Sequence, residues 1–282
     1  MPDIRFLLKV SRPRFWIYIF GPYLVGLVAG VTGKAELLNW RFAVFAVYFL
    51  LPANLLVYGI NDIFDYETDK LNPKKAGYEA LVTPDRRPIL FQTILWLNLP
   101  FYLFGVFQYL AAANLILVPF ILLSVFYSAP PIRAKTKPLL DSVFNILYIM
   151  PGVFAYSLAS GAVPPVTLIV AGGLWTAAMH AFSAIPDIEA DREAGLSTIA
   201  TSFGSIRTHL FCLAAYIGAA TLAYPYLSLM SVALGIVYSI AMIVSMMSGE
   251  REGVFRVYRY FPLLNAASGF AIFWYIAWPK FF

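Results

Sequence analysis

The chain has 282 residues, of which 61% are hydrophobic and 12% are charged, with a net charge of +5 and a mean hydropathy of +0.75. Soluble domains average roughly 45–50% apolar and 25% charged residues, so this composition excludes an ordinary soluble protein and predicts a polytopic membrane protein. The single cysteine, Cys212, excludes a disulfide within the chain and leaves zinc or redox chemistry without a ligand set.

The apolar segments run continuously for about 20 residues, as membrane-crossing helices require, and lack the alternation of barrel strands. We predict an all-α bundle of nine transmembrane helices that forms one domain, residues 1–282, with an active-site cavity facing the cytoplasm. The predicted spans are residues 15–31, 40–60, 89–110, 114–126, 139–158, 166–185, 208–224, 227–247 and 260–278.

The amino-terminal segment, residues 1–14, is basic and has no small-residue cleavage site, so the first span is expected to be retained. Gly21, Gly26 and Gly30 lie along that span together with Pro22. Small residues let helix backbones approach closely in a membrane, so we predict a tightly packed neighbour for this helix.

The second span ends in the first acidic motif, Asn61-Asp-Ile-Phe-Asp-Tyr-Glu-Thr-Asp69. Carboxylates at the end of an apolar run are costly and usually functional. In a regular helix one arc of about 100° would contain Asn54, Tyr58, Asn61, Asp62, Asp65 and Asp69. Such a row of oxygen atoms suits Mg²⁺, which takes one or two carboxylates and is commonly completed by substrate phosphates. The alternative is a solvated acidic helix end.

Two basic segments follow the first motif. The loop of residues 62–88 is too long for a simple connector and is a candidate for closing over a site. It contains Lys70, Lys74, Lys75, Arg86 and Arg87. The second segment, Tyr127-Ser-Ala-Pro-Pro-Ile-Arg-Ala-Lys-Thr-Lys137, stops the fourth helix with its prolines and presents three cations.

The sixth span leads through Pro186 into the second acidic motif, Asp187-Ile-Glu-Ala-Asp191. Its two aspartates are four residues apart, so they share one helix face. The aspartates of the two motifs repel one another unless cations hold them, which favours a site for more than one divalent ion over a structural role. His180, about two turns earlier, is a candidate base or acceptor-facing group, and the alternative is a hydrogen-bonded intramembrane histidine.

The distribution of basic residues indicates the orientation in the membrane. With the amino terminus inside, all lysines and arginines except Lys34, Arg41 and Lys280 fall on inner segments. The positive-inside rule therefore predicts that the amino terminus, both acidic motifs and the Arg133 segment are cytoplasmic. We expect the motifs to converge on one cavity.

Carboxylates facing cations at the mouth of an apolar bundle indicate an amphiphilic anion, and a diphosphate fits best. Mg²⁺, or Mn²⁺ as an alternative, would link the acidic motifs to the diphosphate, while arginine and lysine add contacts. An allylic diphosphate leaves a carbocation that aromatic faces stabilise. We name Tyr58 and Tyr127 as candidates for that role and Asn54, a polar group at membrane depth, as a further group facing the acceptor, although most aromatic residues here would serve membrane packing.

These residues resemble the motifs of the UbiA superfamily of intramembrane prenyltransferases. The resemblance comprises Asn61-Asp-x-x-Asp-x-x-x-Asp69, Asp187-x-x-x-Asp191 and the intervening Tyr127-Ser-x-Pro-Pro-x-Arg-x-Lys135. It implies a nine-helix bundle, open laterally to lipid, that transfers a prenyl group from its diphosphate to a lipophilic acceptor. It also implies that Mg²⁺ is held by Asn61, Asp65, Asp187 and Asp191, with Asp62 and Asp69 assisting. The implied diphosphate contacts are Lys70, Arg133, Lys135 and Arg192.

Within the superfamily, residues 11–16, 58–67 and 187–200 look closest to the lycopene elongases. That branch implies dimethylallyl diphosphate as donor and lycopene as acceptor, on the way to fifty-carbon carotenoids. An aromatic quinone precursor or a glycerol ether lipid would use the same donor machinery.

From other classes, an ion-coupled secondary transporter and a non-catalytic lipid-binding protein remain alternatives, although no inverted repeat of the acidic motif is visible. We expect a plasma-membrane protein embedded in the lipid bilayer, with no nucleic-acid partner.

Overall fold

The computed structural model describes residues 3–70, 79–108, 110–249 and 251–282. Within these residues the regular structure is entirely helical and no strand occurs, which confirms the predicted all-α class. The helices, numbered in chain order, are α1 Ile4–Ser11, α2 Ile17–Gly30, α3 Trp40–Phe64, α4 Pro84–Phe107, α5 Ala111–Ser128, α6 Leu140–Ser160, α7 Val166–Ala184, α8 Ile188–Glu193, α9 Ile199–Leu227, α10 Leu229–Ser248 and α11 Arg251–Phe281.

Eight helices in the described residues are long and apolar enough to cross a membrane, namely α3 to α7 and α9 to α11. The predicted first span forms α2, which has only 14 residues. At 1.5 Å per residue it is about 21 Å long, short of the roughly 30 Å of a hydrocarbon core. A multi-pass membrane protein is therefore established, whereas the predicted count of nine spans is not.

The chain folds into two compact units. The first contains Met1–Arg133, Met150–Val163 and Lys280–Phe282, and the second contains Ala134–Ile149 and Pro164–Pro279. The chain passes from the second unit into the first within α6. The single domain predicted for residues 1–282 stays a prediction.

In the first unit, α2 packs on the second half of α6 with almost no side chain between the backbones. A Cβ atom added to Gly26 would lie 2.0 Å from the carbonyl oxygen of Gly152, and one added to Gly30 would lie 2.8 Å from that of Tyr156. Both distances are too short for any residue except glycine. The close approach predicted from the glycines of this span is confirmed.

The carboxyl end of α2 is capped by a residue from the far end of the chain. Lys280 Nζ donates to the carbonyl oxygens of Val28, Ala29 and Val31 at 3.0, 2.7 and 2.9 Å. The last carbonyl groups of a helix have no partner within the helix, and a lysine also complements its negative end. This contact joins the last residues of the chain to the first unit.

An aromatic core holds α3 in the first unit. The rings of Phe45 and Phe49 lie 4.5 and 5.4 Å from that of Phe154 on α6, and all three side chains are buried. Tyr23 on α2 donates its hydroxyl to the carbonyl oxygen of Phe42 at 2.6 Å. The membrane part of α3 is thereby fixed before the helix reaches the first acidic motif.

The second unit has its own core, formed by α7, α9, α10 and α11. Phe182 and Phe261 are in contact there, and the rings of Tyr216 and Tyr238 stack 4.7 Å apart. Tyr238 donates to Asn265 Oδ1 at 2.8 Å, so its hydroxyl is satisfied in the apolar interior. This core holds the end of α7 and the start of α9. The second acidic motif lies between them in the chain, on the side predicted to be cytoplasmic.

Candidate active site

The helix that carries the first motif is irregular just before the motif begins. Residues Leu55–Gly59 of α3 form a π-helical turn shortly after Pro52, and α3 ends at Phe64. Asp65 leaves the helical conformation with φ −108° and ψ 10°, and a short turn, Tyr66–Asp69, follows. The single regular helix face assumed for residues 54–69 is therefore wrong, because the π turn and the break at Asp65 both change the phase. Short π turns are frequent at functional sites.

Asn54 and Tyr58 lie buried on this irregular part of α3. Asn54 Nδ2 donates to the carbonyl oxygens of Phe49 and Leu50 at 3.0 and 2.6 Å, so it supports the backbone around Pro52. The guanidinium carbon of Arg12 lies 5.1 Å from the centre of the Tyr58 ring. Tyr58 thus presents an aromatic face to a positive charge supplied by the chain itself.

Asn61 is oriented by a partner on α5. Its Nδ2 donates to Ser128 Oγ at 2.9 Å, and Ser128 is the last residue of that helix and is buried. The bond turns the amide nitrogen toward α5, which leaves the amide oxygen as the atom for a cation. The role of Ser128 was missed in the sequence, although it stands inside the predicted basic segment. Its neighbour Tyr127 is half-buried.

Asp62 lies in a buried ionic network. Its Oδ1 contacts Arg12 Nη2 at 2.6 Å, and Asp62 is only 1% exposed. Arg12 Nε is 3.5 Å from Glu79, which also contacts Arg14 at 2.6 Å. Burial alone would lower the pKa of Arg12, but the carboxylates of Asp62 and Glu79 outweigh it and hold that pKa above its usual value. Glu79 was missed because one glutamate in a polar loop carries no pattern.

The remaining residues of the first motif lie just beyond α3. Asp65 is buried and Asp69 is half-buried, and the amide nitrogen of Asp69 donates to the carbonyl oxygen of Asp65 at 2.8 Å. Lys70 is exposed and forms an ion pair with Glu67. Lys74 and Lys75 of the same predicted loop lie outside the described residues. Arg133 is an exposed residue with φ 45°, at the end of the largest segment of the first unit.

The second motif lies in the second unit and is helical, as predicted. Asp187 is exposed immediately before α8, Asp191 is half-buried one turn later, and the amide nitrogen of Asp191 donates to the carbonyl oxygen of Asp187 at 2.8 Å. Burial, together with the negative charge of Asp187, raises the pKa of Asp191 to about 6. Two carboxylates that repel each other in this way are a natural binding place for a divalent cation.

Side chains from other helices fix both ends of the second motif. Arg251, at the start of α11, donates to the carbonyl oxygen of Pro186 at 3.1 Å and pairs with Glu189 at 3.0 Å. On the other side, the buried carboxylate of Asp141 accepts a hydrogen bond from the amide of Ile199 at 2.7 Å. Neither Arg251 nor Asp141 was predicted, because each is far from the motif in the sequence.

The other predicted residues of the second unit lie around these elements. Lys135 is half-buried in the short turn Ala134–Thr136. Arg192 is exposed on α8, 3.4 Å from the carbonyl oxygen of Thr201. His180 is half-buried in α7, and its own carbonyl oxygen accepts a hydrogen bond from Ser183 at 2.7 Å.

The donor atoms fit a hard divalent cation. The predicted metal ligands all carry side-chain oxygen atoms, namely Asn61, Asp65, Asp187 and Asp191. In the described part of the chain, no three His, Cys, Asp or Glu side chains come together as a metal cluster. Mg²⁺ matches such a donor set, since it keeps waters and takes substrate phosphates instead of requiring an all-protein cage. The convergence of both motifs on one cavity stays a prediction.

Comparison with known sequences identifies relatives along the whole chain. The model of the UbiA prenyltransferase family matches residues 19–277. The lycopene elongase/hydratase of Haloferax volcanii is 41% identical over 270 residues, which cover 95% of this chain and 87% of that protein. The lycopene elongase/hydratase of Halobacterium salinarum is 38% identical over 94% of each chain.

Solved structures show the same fold. A UbiA homologue from Archaeoglobus fulgidus bound to GPP and Mg²⁺ matches with a TM-score of 0.68 at 20% identity, covering 95% of this chain and 99% of that chain. The form bound to DMAPP and Mg²⁺ matches with a TM-score of 0.63 at 19% identity, with the same coverage. These matches confirm the predicted membrane fold.

Proposed function

The chain belongs to the UbiA prenyltransferase family, and on that premise we propose that it transfers a dimethylallyl group from its diphosphate to lycopene. Two relatives named lycopene elongase/hydratase, 41% and 38% identical over nearly the whole chain, carry this proposal. Membership in the family also decides against the transporter and the non-catalytic alternatives. The alternative acceptors are an aromatic quinone precursor and an ether lipid, and the test below can favour them over lycopene.

The proposed site residues divide the work of binding the donor. Mg²⁺ would be held by Asn61, Asp65, Asp187 and Asp191. When bound, Mg²⁺ would neutralise the charge that develops on the departing diphosphate. The support for this ion is the all-oxygen donor set, together with the Mg²⁺ in the Archaeoglobus fulgidus homologue. Mn²⁺ offers the same preference for oxygen and is the natural substitute.

Other residues of this chain would act on the rest of the substrate. The cationic side chains of Arg133, Lys135 and Arg192 are suited to the diphosphate oxygens. Asp62 is paired with Arg12, so we assign it to orienting the motif, with Asp69 in a similar assisting role. Lys70 would have to leave Glu67 to reach a diphosphate, which costs little because both side chains are exposed.

The proposed reaction breaks the bond between the allylic carbon and the diphosphate oxygen. The terminal double bond of lycopene supplies the electron pair for the new carbon–carbon bond, and the resulting cation loses a proton or takes up water. Tyr58, which lies three residues before the first motif, and Tyr127, which opens the basic segment, are proposed to stabilise positive charge. Asn54 and His180 are proposed to border the acceptor.

We propose a plasma-membrane location with the amino terminus and the motif loops in the cytoplasm. The support is the positive-inside distribution, in which only Lys34, Arg41 and Lys280 lie on the outer side. We also propose that residues 1–282 form one catalytic domain, because a single family model matches residues 19–277.

Pigment analysis tests the proposal directly. Lycopene-producing cells would express the chain or its Asp65→Asn variant, and carotenoids would be separated by liquid chromatography and identified by mass spectrometry. We expect forty-five- and fifty-carbon carotenoids only with the unchanged chain. Membranes supplied with dimethylallyl diphosphate should lose the activity in EDTA and recover it with Mg²⁺. Unchanged lycopene, with the protein present in the membrane, would reject this acceptor and direct the assay to aromatic and ether-lipid acceptors.

A further inference from the structure

Asp141 is a fully buried carboxylate that the proposed chemistry does not use. It is the second residue of α6, and its relative exposure is 0%. Its Oδ1 accepts from the amide and the hydroxyl of Ser142 at 2.7 and 3.2 Å, and its Oδ2 accepts from the amide of Ile199 at 2.7 Å. An ionised carboxylate is costly to bury, and these three donors offset much of that cost.

The bond to Ile199 controls the segment that follows the second acidic motif. Ile199 begins the short turn of α9 that precedes the non-helical residue Gly204, and its amide is one of those that have no partner inside the helix. At the other end of this segment, the amide of Leu196 donates to the carbonyl oxygen of Asp191 at 2.8 Å. The segment from Asp191 to α9 is therefore held at both ends. Of these two contacts, the one from Asp141 comes from a distant part of the sequence.

The backbone of Asp141 is also hydrogen-bonded to the basic segment, residues 127–137. Its amide donates to the carbonyl oxygen of Lys137 at 2.9 Å, and the amide of Lys137 donates to that of Ala134 at 2.9 Å. Lys135 lies inside this pair of turns. The charges of Asp141 and Asp191 are also close enough to interact. One residue thus links the segment with Lys135 to the segment with Asp191.

We propose that Asp141 is a positioning residue that sets the second acidic motif, and the basic segment beside it, in the arrangement that binds the divalent cation and the diphosphate. The proposal rests on the proposed function. Asp141 itself touches neither the cation nor the substrate. It acts through the amide of Ile199, as outer partners of metal ligands commonly do.

The Asp141→Asn variant tests this link with almost no change in volume. The carboxylate uses Oδ1 for Ser142 and Oδ2 for Ile199, and an amide has an NH₂ donor in place of one of these two acceptors. The matched control is Asn145→Ala, because Asn145 is buried in the same turn and donates to the carbonyl oxygen of Asp141 at 2.6 Å without touching Ile199. The control lowers local stability and leaves the link in place.

Two measurements on purified protein in detergent separate positioning from folding. Mn²⁺ binding in the presence of pyrophosphate needs no turnover and is followed by the electron paramagnetic resonance signal of free Mn²⁺. The same titration without protein is subtracted, because pyrophosphate itself binds Mn²⁺. The Mg²⁺ concentration for half-maximal prenyl transfer is measured beside it. We expect Asp141→Asn to weaken Mn²⁺ binding at least about tenfold and to raise the Mg²⁺ requirement correspondingly, whereas Asn145→Ala leaves both unchanged.

Unchanged Mn²⁺ binding and Mg²⁺ requirement in Asp141→Asn would overturn the proposal, even if the variant were less stable. If that variant cannot be purified, Asp141→Glu replaces it, since it keeps the charge and displaces the carboxylate by one methylene. The proposal then expects weaker Mn²⁺ binding than in Asn145→Ala, and equal binding overturns it. If the unchanged chain binds Mn²⁺ but transfers no prenyl group, the proposed function is contradicted. The comparison of Mn²⁺ binding between Asp141→Asn and Asn145→Ala still tests the positioning role of Asp141.

Discussion

The orientation of individual side chains in the first unit is determined by partners that the sequence pattern does not reveal. The spacing of Asn61 and Asp62 within the first motif is enough to predict that they belong to a metal-binding motif. Their partners, Ser128 and Arg12, lie 67 and 50 residues away. Contacts over such separations depend on the tertiary fold, so Glu79 and Asp141 could not have been chosen from the sequence.

The contact between Asn61 and Ser128 gives a prediction about metal affinity. Ser128→Ala removes the hydroxyl that orients the Asn61 amide and should raise the Mg²⁺ requirement of prenyl transfer about tenfold. Ser124→Ala is the matched control, because Ser124 is buried one turn earlier on α5 and bonds only to the carbonyl oxygen of Phe120 at 2.7 Å among the contacts described for it. Equal Mg²⁺ titrations for the two variants would contradict this orienting role.

The pairing of Arg12 with Asp62 gives a prediction about stability. Arg12→Gln leaves the buried carboxylates of Asp62 and Glu79 without their shared cation, which should cost about 3–5 kcal/mol. Thermal unfolding of the purified protein should show a clear fall in the midpoint. Arg5→Gln, on the exposed face of α1, changes the net charge equally and should leave the midpoint within error. A midpoint in Arg12→Gln that matches this control would show that the pair contributes nothing to stability.

At the scale of helices, sequence reasoning succeeded where one physical requirement dominates. Long apolar runs had to become helices, since backbone groups in lipid need internal hydrogen bonds. The helices α3 to α7 and α10 follow the predicted spans, whereas α9 begins at Ile199 and α11 at Arg251, ahead of the predicted starts at residues 208 and 260. The π turn at Leu55–Gly59 was not predicted, because single π turns are rare inside α-helices and the apolar run of α3 does not mark one. That turn changes which residues face the first motif.

The contact of α2 with α6 gives a prediction about helix packing. Gly26→Ala places a methyl group 2.0 Å from the carbonyl oxygen of Gly152, so the two backbones must separate. Overpacking of this kind costs about 1–3 kcal/mol, and a lower unfolding temperature in detergent should reveal it. Gly21→Ala on the same helix is the control, since its Cβ would meet only the side chain of Ile17, at 3.5 Å. Similar stability of the two variants would mean that α2 shifts freely against α6.

At the scale of the whole molecule, composition and charge identified the class of protein, and motif order identified the family. Both are properties of the entire chain, and they tolerate errors at single positions. The division into two compact units was not predicted, because a run of similar spans gives no sequence signal for which helices pack together. The first acidic motif belongs to the first unit and the second motif to the second unit.

The charge distribution gives the last prediction, which concerns orientation in the membrane. Lys34 precedes α3 and Lys70 follows it, so a helix that crosses the bilayer places them on opposite sides. The positive-inside rule assigns Lys70 to the cytoplasm and Lys34 to the outside. In a Cys212→Ala background, a membrane-impermeant thiol reagent should label Lys34→Cys in intact cells and label Lys70→Cys only after permeabilisation. Both side chains are accessible to the reagent, since Lys34 and Lys70 are exposed. The reverse pattern would move the motif loops to the outer side, away from a cytoplasmic supply of prenyl diphosphate, and would contradict the proposed topology.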